Sequence, residues 1–190
     1  VQKRWPEMFE ALDQLQVADK EGSLTAQSAY RNAEHAMAAK SWDNATLLLA
    51  RVVDKGDATE YYAAALTELG TVQAEQQQFA AAALSYQKLL DSAVIDQVVL
   101  ATAAYNRGVC LEKDAANDPQ KLALAAEALE QGVQRFAIPK EKALPDDAER
   151  RAARYVIRSA RLAAAIRMRL ITAEAPEKQK QELVTVADQL

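Results

Sequence analysis

Cysteine, histidine, glycine and proline are all scarce in this chain, and each scarcity removes a class of function. The single Cys110 excludes an internal disulfide and any multi-cysteine metal site. His35 is the only histidine, and no serine, cysteine or second histidine stands at a triad or metal-site spacing from it. It reads as a surface or packing residue. Five glycines and five prolines in 190 residues leave little material for the turns of an all-β fold. No glycine-rich phosphate loop is present. Positive charge is also short: 23 Lys and Arg against 27 Asp and Glu give a net charge of −4. That balance argues against general affinity for nucleic acid, which needs a basic footprint. No run of about 18 apolar residues occurs, so no membrane span is expected.

What is abundant is alanine, within a chain that is 50% hydrophobic. Alanine has the best helix propensity and lets helices approach closely, so the fold class expected is all-α. Trp5, Met8, Leu12 and Leu15 recur at spacings of three and four, one stripe of an amphipathic helix over 4–20 that Pro6 suits in its first turn. The break at Glu21-Gly22-Ser23 is followed by Ser23 or Thr25 as a cap for the next helix. Asp57, Asp96 and Asp118 read as further N-caps, the last followed by Pro119 at the first helical position. Gly56 suits the left-handed residue closing a helix.

Residues 63–94 carry the clearest pattern. Two helical stretches flank a polar hinge at 76–78, with Leu66, Leu69 and Gly70 on the first and Ala82, Tyr86 and Leu89 on the second. The same plan runs through 26–59, with Trp42-Asp43-Asn44-Ala45 opening its second helix, Ala33 in place of Gly70 and Leu49 in place of Tyr86. It returns in 101–136 with Tyr105-Asn106-Arg107-Gly108, here with about five extra residues between Glu112 and Leu124. Ala125 or Ala128 supplies the small residue of that second helix.

These motifs resemble the tetratricopeptide repeat, a helix–turn–helix unit of about 34 residues. The resemblance covers 26–136. It implies a right-handed solenoid of antiparallel helix pairs, with a capping helix over 1–22, three repeats within 23–137, and a degenerate fourth pair over 138–190. In that last part a helix is expected from Asp146-Asp147 to about Thr172, and another from Pro176. The resemblance further implies a protein–protein interaction scaffold that binds a polypeptide in a concave groove, with no catalysis and no cofactor or metal. The groove would be lined by Gln27, Tyr30, Arg31, Glu34 and Met37, then Thr67, Glu68, Thr71 and Glu75, then Tyr105, Asn106, Glu112 and Lys113. One family branch clamps a terminal carboxylate with lysines, an arginine and two asparagines. Asn106 matches one asparagine, but Tyr30 and Glu34 stand where a lysine and an asparagine are needed, which excludes that clamp. A homo-oligomeric assembly module, or a regulatory domain of a larger enzyme or envelope complex, is the alternative. The chain opens on valine and is read as a processed or cloned fragment, and the resemblance points to a bacterial periplasmic or membrane-anchored envelope protein.

The chemistry-bearing residues outside the groove are few. Cys110 packs as a small hydrophobe, since one Lys113 a turn away is not enough to activate a thiol. Asp146-Asp147 sits where a helix favours acidic residues. Arg150, Arg154, Arg158 and Arg161 fall within about 80° of each other on a helix, with Arg151 and Arg169 at the edge. Ala153, Val156, Ala160, Ala163 and Leu170 are expected opposite them. Three uses of this stripe stand open: a solvated face, pairing with carboxylates of the groove or of a partner, and contact with nucleic acid or anionic lipid.

Overall fold

The computed structural model describes residues 4–56, 59–94, 96–137 and 146–187, with side chains described as far as 173. Among these residues there are eight helices and no strand. They are α1 (Trp5–Ala18), α2 (Ser23–Ala38), α3 (Trp42–Val53), α4 (Tyr62–Glu75), α5 (Phe79–Leu90), α6 (Gln97–Ala115), α7 (Pro119–Phe136) and α8 (Asp147–Ala187). The chain divides into two compact units, the first holding α1–α5 and the second α6–α8. Within each, helices adjacent in sequence pack together.

In the first unit, the face α2 turns inward is Ala26, Ala29, Ala33 and Ala36. Four alanines leave room that Leu48, Leu49 and Val52 of α3 fill, all three completely buried. The α2–α3 and α4–α5 hairpins close with the same three-residue turn. Lys40 (φ 53°) and Gln77 (φ 60°) take the left-handed conformation. The amides of Ser41 and Gln78 then donate to the carbonyls of Ala36 and Gln73, each at 2.8 Å. This is the helix-ending bond pattern in which a left-handed residue lets the chain reverse. The α4–α5 crossing is tight because Gly70 has no side chain: a Cβ there would lie 2.7 Å from Cζ of Tyr86.

The start of α2 differs from expectation. Neither Ser23 nor Thr25 caps it. Asp19, before the helix, accepts from the Thr25 amide (2.7 Å) and hydroxyl (2.9 Å), while left-handed Gly22 (φ 78°) turns the chain between them. These bonds, led by the one from the Thr25 amide, hold the Asp19 carboxyl below its ordinary value. Gly56 is left-handed as expected (φ 79°), and Asp57 lies outside the described residues.

In the second unit, Asp96 and Asp118 cap α6 and α7 through their carboxylates, and Pro119 opens α7. The extra residues of this hairpin do not lengthen its turn, which again has three residues, 116–118. They lengthen the helices instead, to 19 and 18 residues against 14 and 12 in α4 and α5. Gly108 plays the part of Gly70: a Cβ there would lie 2.3 Å from Cδ2 of Leu129. Ala125, Ala126 and Leu129 of α7 share a core with Ala163 and Ile166 of α8.

The pair of helices expected at the C-terminal end is a single 41-residue helix, α8, which passes through Pro176. Proline costs a helix one backbone bond and a ring clash with the carbonyl four residues back, and the strong helix formers on both sides, including Glu174, Ala175 and 177–182, favour continuation through it. The buried positions of α8 also differ from those expected. Ala152, Ser159, Ala163 and Ile166 are buried, whereas Ala160 is exposed. Because α8 packs on both α6 and α7, its buried arc centres between them, a direction hydropathy alone does not give in an alanine-rich helix.

Candidate functional site

In the first unit, side chains of α2 and α4 meet across the space between the two helices. The Tyr30 hydroxyl donates to Oε1 of Glu68 at 2.7 Å. The Tyr30 ring lies against that of Tyr61, with centroids 5.0 Å apart and planes 31° from parallel. Gln27 Nε2 donates to the Tyr61 hydroxyl at 3.2 Å. The result is a chain of four side chains, Gln27–Tyr61–Tyr30–Glu68. Three of them, Gln27, Tyr30 and Glu68, are among the groove residues that the resemblance implies.

Glu68 is the electrostatic anomaly of this cluster. Its second oxygen, Oε2, is buried and has no hydrogen-bond partner among the described residues. An ionised carboxylate with an unsatisfied buried oxygen is costly, so the proton is favoured. Burial pushes the Glu68 carboxyl up from its ordinary value and the charge of Glu34 adds to the push, while the Tyr30 hydrogen bond opposes it. Tyr30 is itself pushed well above the usual phenol range by burial and by the same Glu68.

A raised carboxyl value sets the sign of a pH effect. Below the ordinary value both folded and unfolded chains hold the proton. Between the ordinary and the raised value only the folded chain does, so stability falls as pH rises through that window. Thermal melts from pH 4 to 8 should therefore show wild type losing stability relative to Glu68→Gln as pH rises. Parallel pH profiles would contradict a raised Glu68.

Around this cluster the surface is cut by two open cavities. One of about 400 Å³ is lined by Leu24, Gln27, Thr59, Glu60 and Tyr61 among others. The other, about 430 Å³, shares Leu24 and Gln27 and reaches Leu15, Arg31 and His35. Leu24 stands between them at 58% exposure, a large apolar residue at the mouth of both. Arg31 and Glu34 on α2, and Thr71 and Glu75 on α4, are exposed. The Thr71 hydroxyl is 3.1 Å from that of Tyr86 and donates to the Thr67 carbonyl at 2.9 Å, which ties this edge of the surface to the α4–α5 crossing.

The candidates of the second unit form their own set. The Tyr105 ring packs 6.1 Å from that of Tyr155, and Asn106 beside it is partly buried. Glu112 accepts from Arg169 at 2.7 Å, so an arginine at the edge of the expected stripe pairs with a candidate groove carboxylate. Arg167 grips Glu130 with two bonds of 2.9 and 2.8 Å, which holds the Glu130 carboxyl low. Arg150, Arg154, Arg158 and Arg161 are all exposed. Arg150 pairs with Asp147, and the Arg158 guanidinium sits 5.7 Å from the Tyr155 ring centroid.

Sequence reasoning missed Tyr61. It precedes the first turn of α4, where the helical spacing used to choose surface positions does not apply. The adjacent pair Tyr61-Tyr62 in an aromatic-poor chain was the available signal. Cys110 is buried and its thiol pushed up by burial, against a weaker pull from Lys113. Among the described residues no three His, Cys, Asp or Glu side chains cluster as a metal site would require. No described helix is long and apolar enough to cross a membrane. Comparison with family models, with characterised proteins and with solved structures gave no match for this chain.

Proposed function

We propose that the chain is a tetratricopeptide-like helical-repeat scaffold that binds a partner polypeptide along the surface formed by α2 and α4. The observation that carries this reading is the Gln27–Tyr61–Tyr30–Glu68 chain, flanked by Arg31, Glu34 and Glu75 and opening on two cavities at Leu24. Tyrosines offer rigid contact area with a polar tip, and here hydrogen bonds and stacking hold their rotamers before any partner arrives. The exposed Leu24 supplies an apolar anchor, and the surrounding charges set register and specificity. Two hairpins with identical turns 37 residues apart (41 to 78) support the repeat reading. Their glycine or alanine against tyrosine or leucine at the crossing does so as well.

Capture with the whole chain as bait tests the proposal. Arg31→Glu, Glu34→Lys and Glu75→Lys reverse exposed charges without touching the core. Together they are expected to reduce recovery of bound polypeptides at least tenfold at unchanged helicity. Lys88→Glu, on the exposed side of α5, should leave recovery unchanged. Equal capture by both variants would refute the α2–α4 surface.

A further inference from the structure

The side of α8 away from its core carries a second apolar seam. Ile157, Met168 and Ile171 are 52%, 65% and 66% exposed, and Ala160 and Ala164 between them are exposed as well. Their spacing of three, four, four and three residues places all five within about 80° of each other on the helix. The arc centres about 130° around the helix from the buried Ala152, Ser159, Ala163 and Ile166. Each earlier pair, α2–α3, α4–α5 and α6–α7, is a hairpin whose two helices pack together. Because α8 runs straight through Pro176 instead of turning back, no following helix covers this seam among the described residues.

Arg154, Arg158 and Arg161 line one flank of the seam. Arg154 and Arg161 have no carboxylate partner among the described residues. We infer that this face of α8 is a docking surface for an acidic amphipathic helix of a partner polypeptide, with its apolar stripe on Ile157–Ile171 and its carboxylates on the arginines. Charge complementarity selects the sign of the partner, and guanidinium forks suit carboxylates on a neighbouring helix. The two central alanines permit the close approach a helix needs. A lipid surface would be served by Trp, Phe or Leu anchors, and Ile157, Ala160, Ala164, Met168 and Ile171 include none of these. A second copy in antiparallel pairing would set arginine flank against arginine flank. This inference does not depend on the α2–α4 surface.

The test uses the full chain and a fluorescent synthetic helix with a leucine–alanine seam and glutamate flanks, read by anisotropy. Its lysine-flanked counterpart, vesicles with half their lipid anionic, and sedimentation of the chain alone form the other arms. The acidic helix is expected to bind, at least tenfold more weakly to the chain carrying Arg154→Glu, Arg158→Glu and Arg161→Glu. A comparable loss is expected with Ile157→Glu and Met168→Glu, and the lysine-flanked helix should not bind. All five substitutions fall on exposed positions, so circular dichroism should be unchanged. Absent or variant-insensitive binding of the acidic helix, binding to vesicles in its place, or self-association lost on charge reversal would each overturn the proposal.

Discussion

Gly108→Leu is expected to destabilise the second unit by about 3 kcal/mol or more, enough to unfold a marginally stable domain in mild denaturant. The first added carbon already has nowhere to go: it would lie 2.3 Å from Cδ2 and 2.4 Å from Cγ of Leu129. Leu129 cannot swing aside, because it is fully buried among Ala125, Ala126 and Ile166. Glycine costs the helix about 1 kcal/mol relative to alanine, and that gain is too small to offset the clash. The interaction can be isolated with smaller changes. Leu129→Ala alone should cost about 2–5 kcal/mol through its cavity. Gly108→Ala with Leu129→Ala should cost less than the sum of the singles, since the new methyl enters the space the leucine left. Additive losses in urea unfolding would mean that α6 and α7 do not cross at this glycine.

Tyr86→Ala is expected to cost about 3–5 kcal/mol, the range for removing a buried aromatic side chain. The ring fills the space above Gly70 and is 3% exposed. Tyr86→Phe keeps the ring and removes the hydroxyl with its contact to Thr71, so its cost should be about 1 kcal/mol. Thr71 retains its bond to the Thr67 carbonyl in that variant, which limits the loss. Thermal melts of the two variants separate ring from hydroxyl. Equal losses would show that the hydroxyl, and not the packing of the ring on the glycine, holds α4 to α5.

The crossing of Gly70 with Tyr86 was implied by the resemblance, and Gly108 by its alignment with Gly70, whereas Leu129 as its neighbour appears only in the structure. The hinge at 76–78, the Trp42 start and the Asp96 and Asp118 caps were legible because turn and cap chemistry is local. The misses are those that depend on tertiary neighbours. Pro176 reads locally as a break, yet α8 passes through it. Ala160 and Ala163 look alike in hydropathy, and only the positions of α6 and α7 decide that one is exposed and the other buried. Of the candidate surface, the resemblance implied Tyr30 and Glu68 as residues of one face, while the hydrogen bond that joins them across 38 residues is a finding of the structure. Tyr61 sits outside that spacing and completes the cluster from the residue before α4.

The cluster also defines what a partner would meet. The Tyr61 ring packs on Tyr30, whose hydroxyl bonds Glu68, while burial pushes the Glu68 carboxyl up against the pull of that bond. Binding that supplies a donor to Glu68 would favour its ionised form, so affinity for such a partner should rise with pH while intrinsic stability falls.

The central claim is that α2 and α4 present the binding surface. Amide hydrogen exchange of the whole chain, alone and with a polypeptide it captures, tests this most directly. Added protection is expected across 23–38 and 61–75, with α3 and α5 changed little. Protection confined to α3 and α5, with α2 and α4 exchanging as in the free chain, would contradict it.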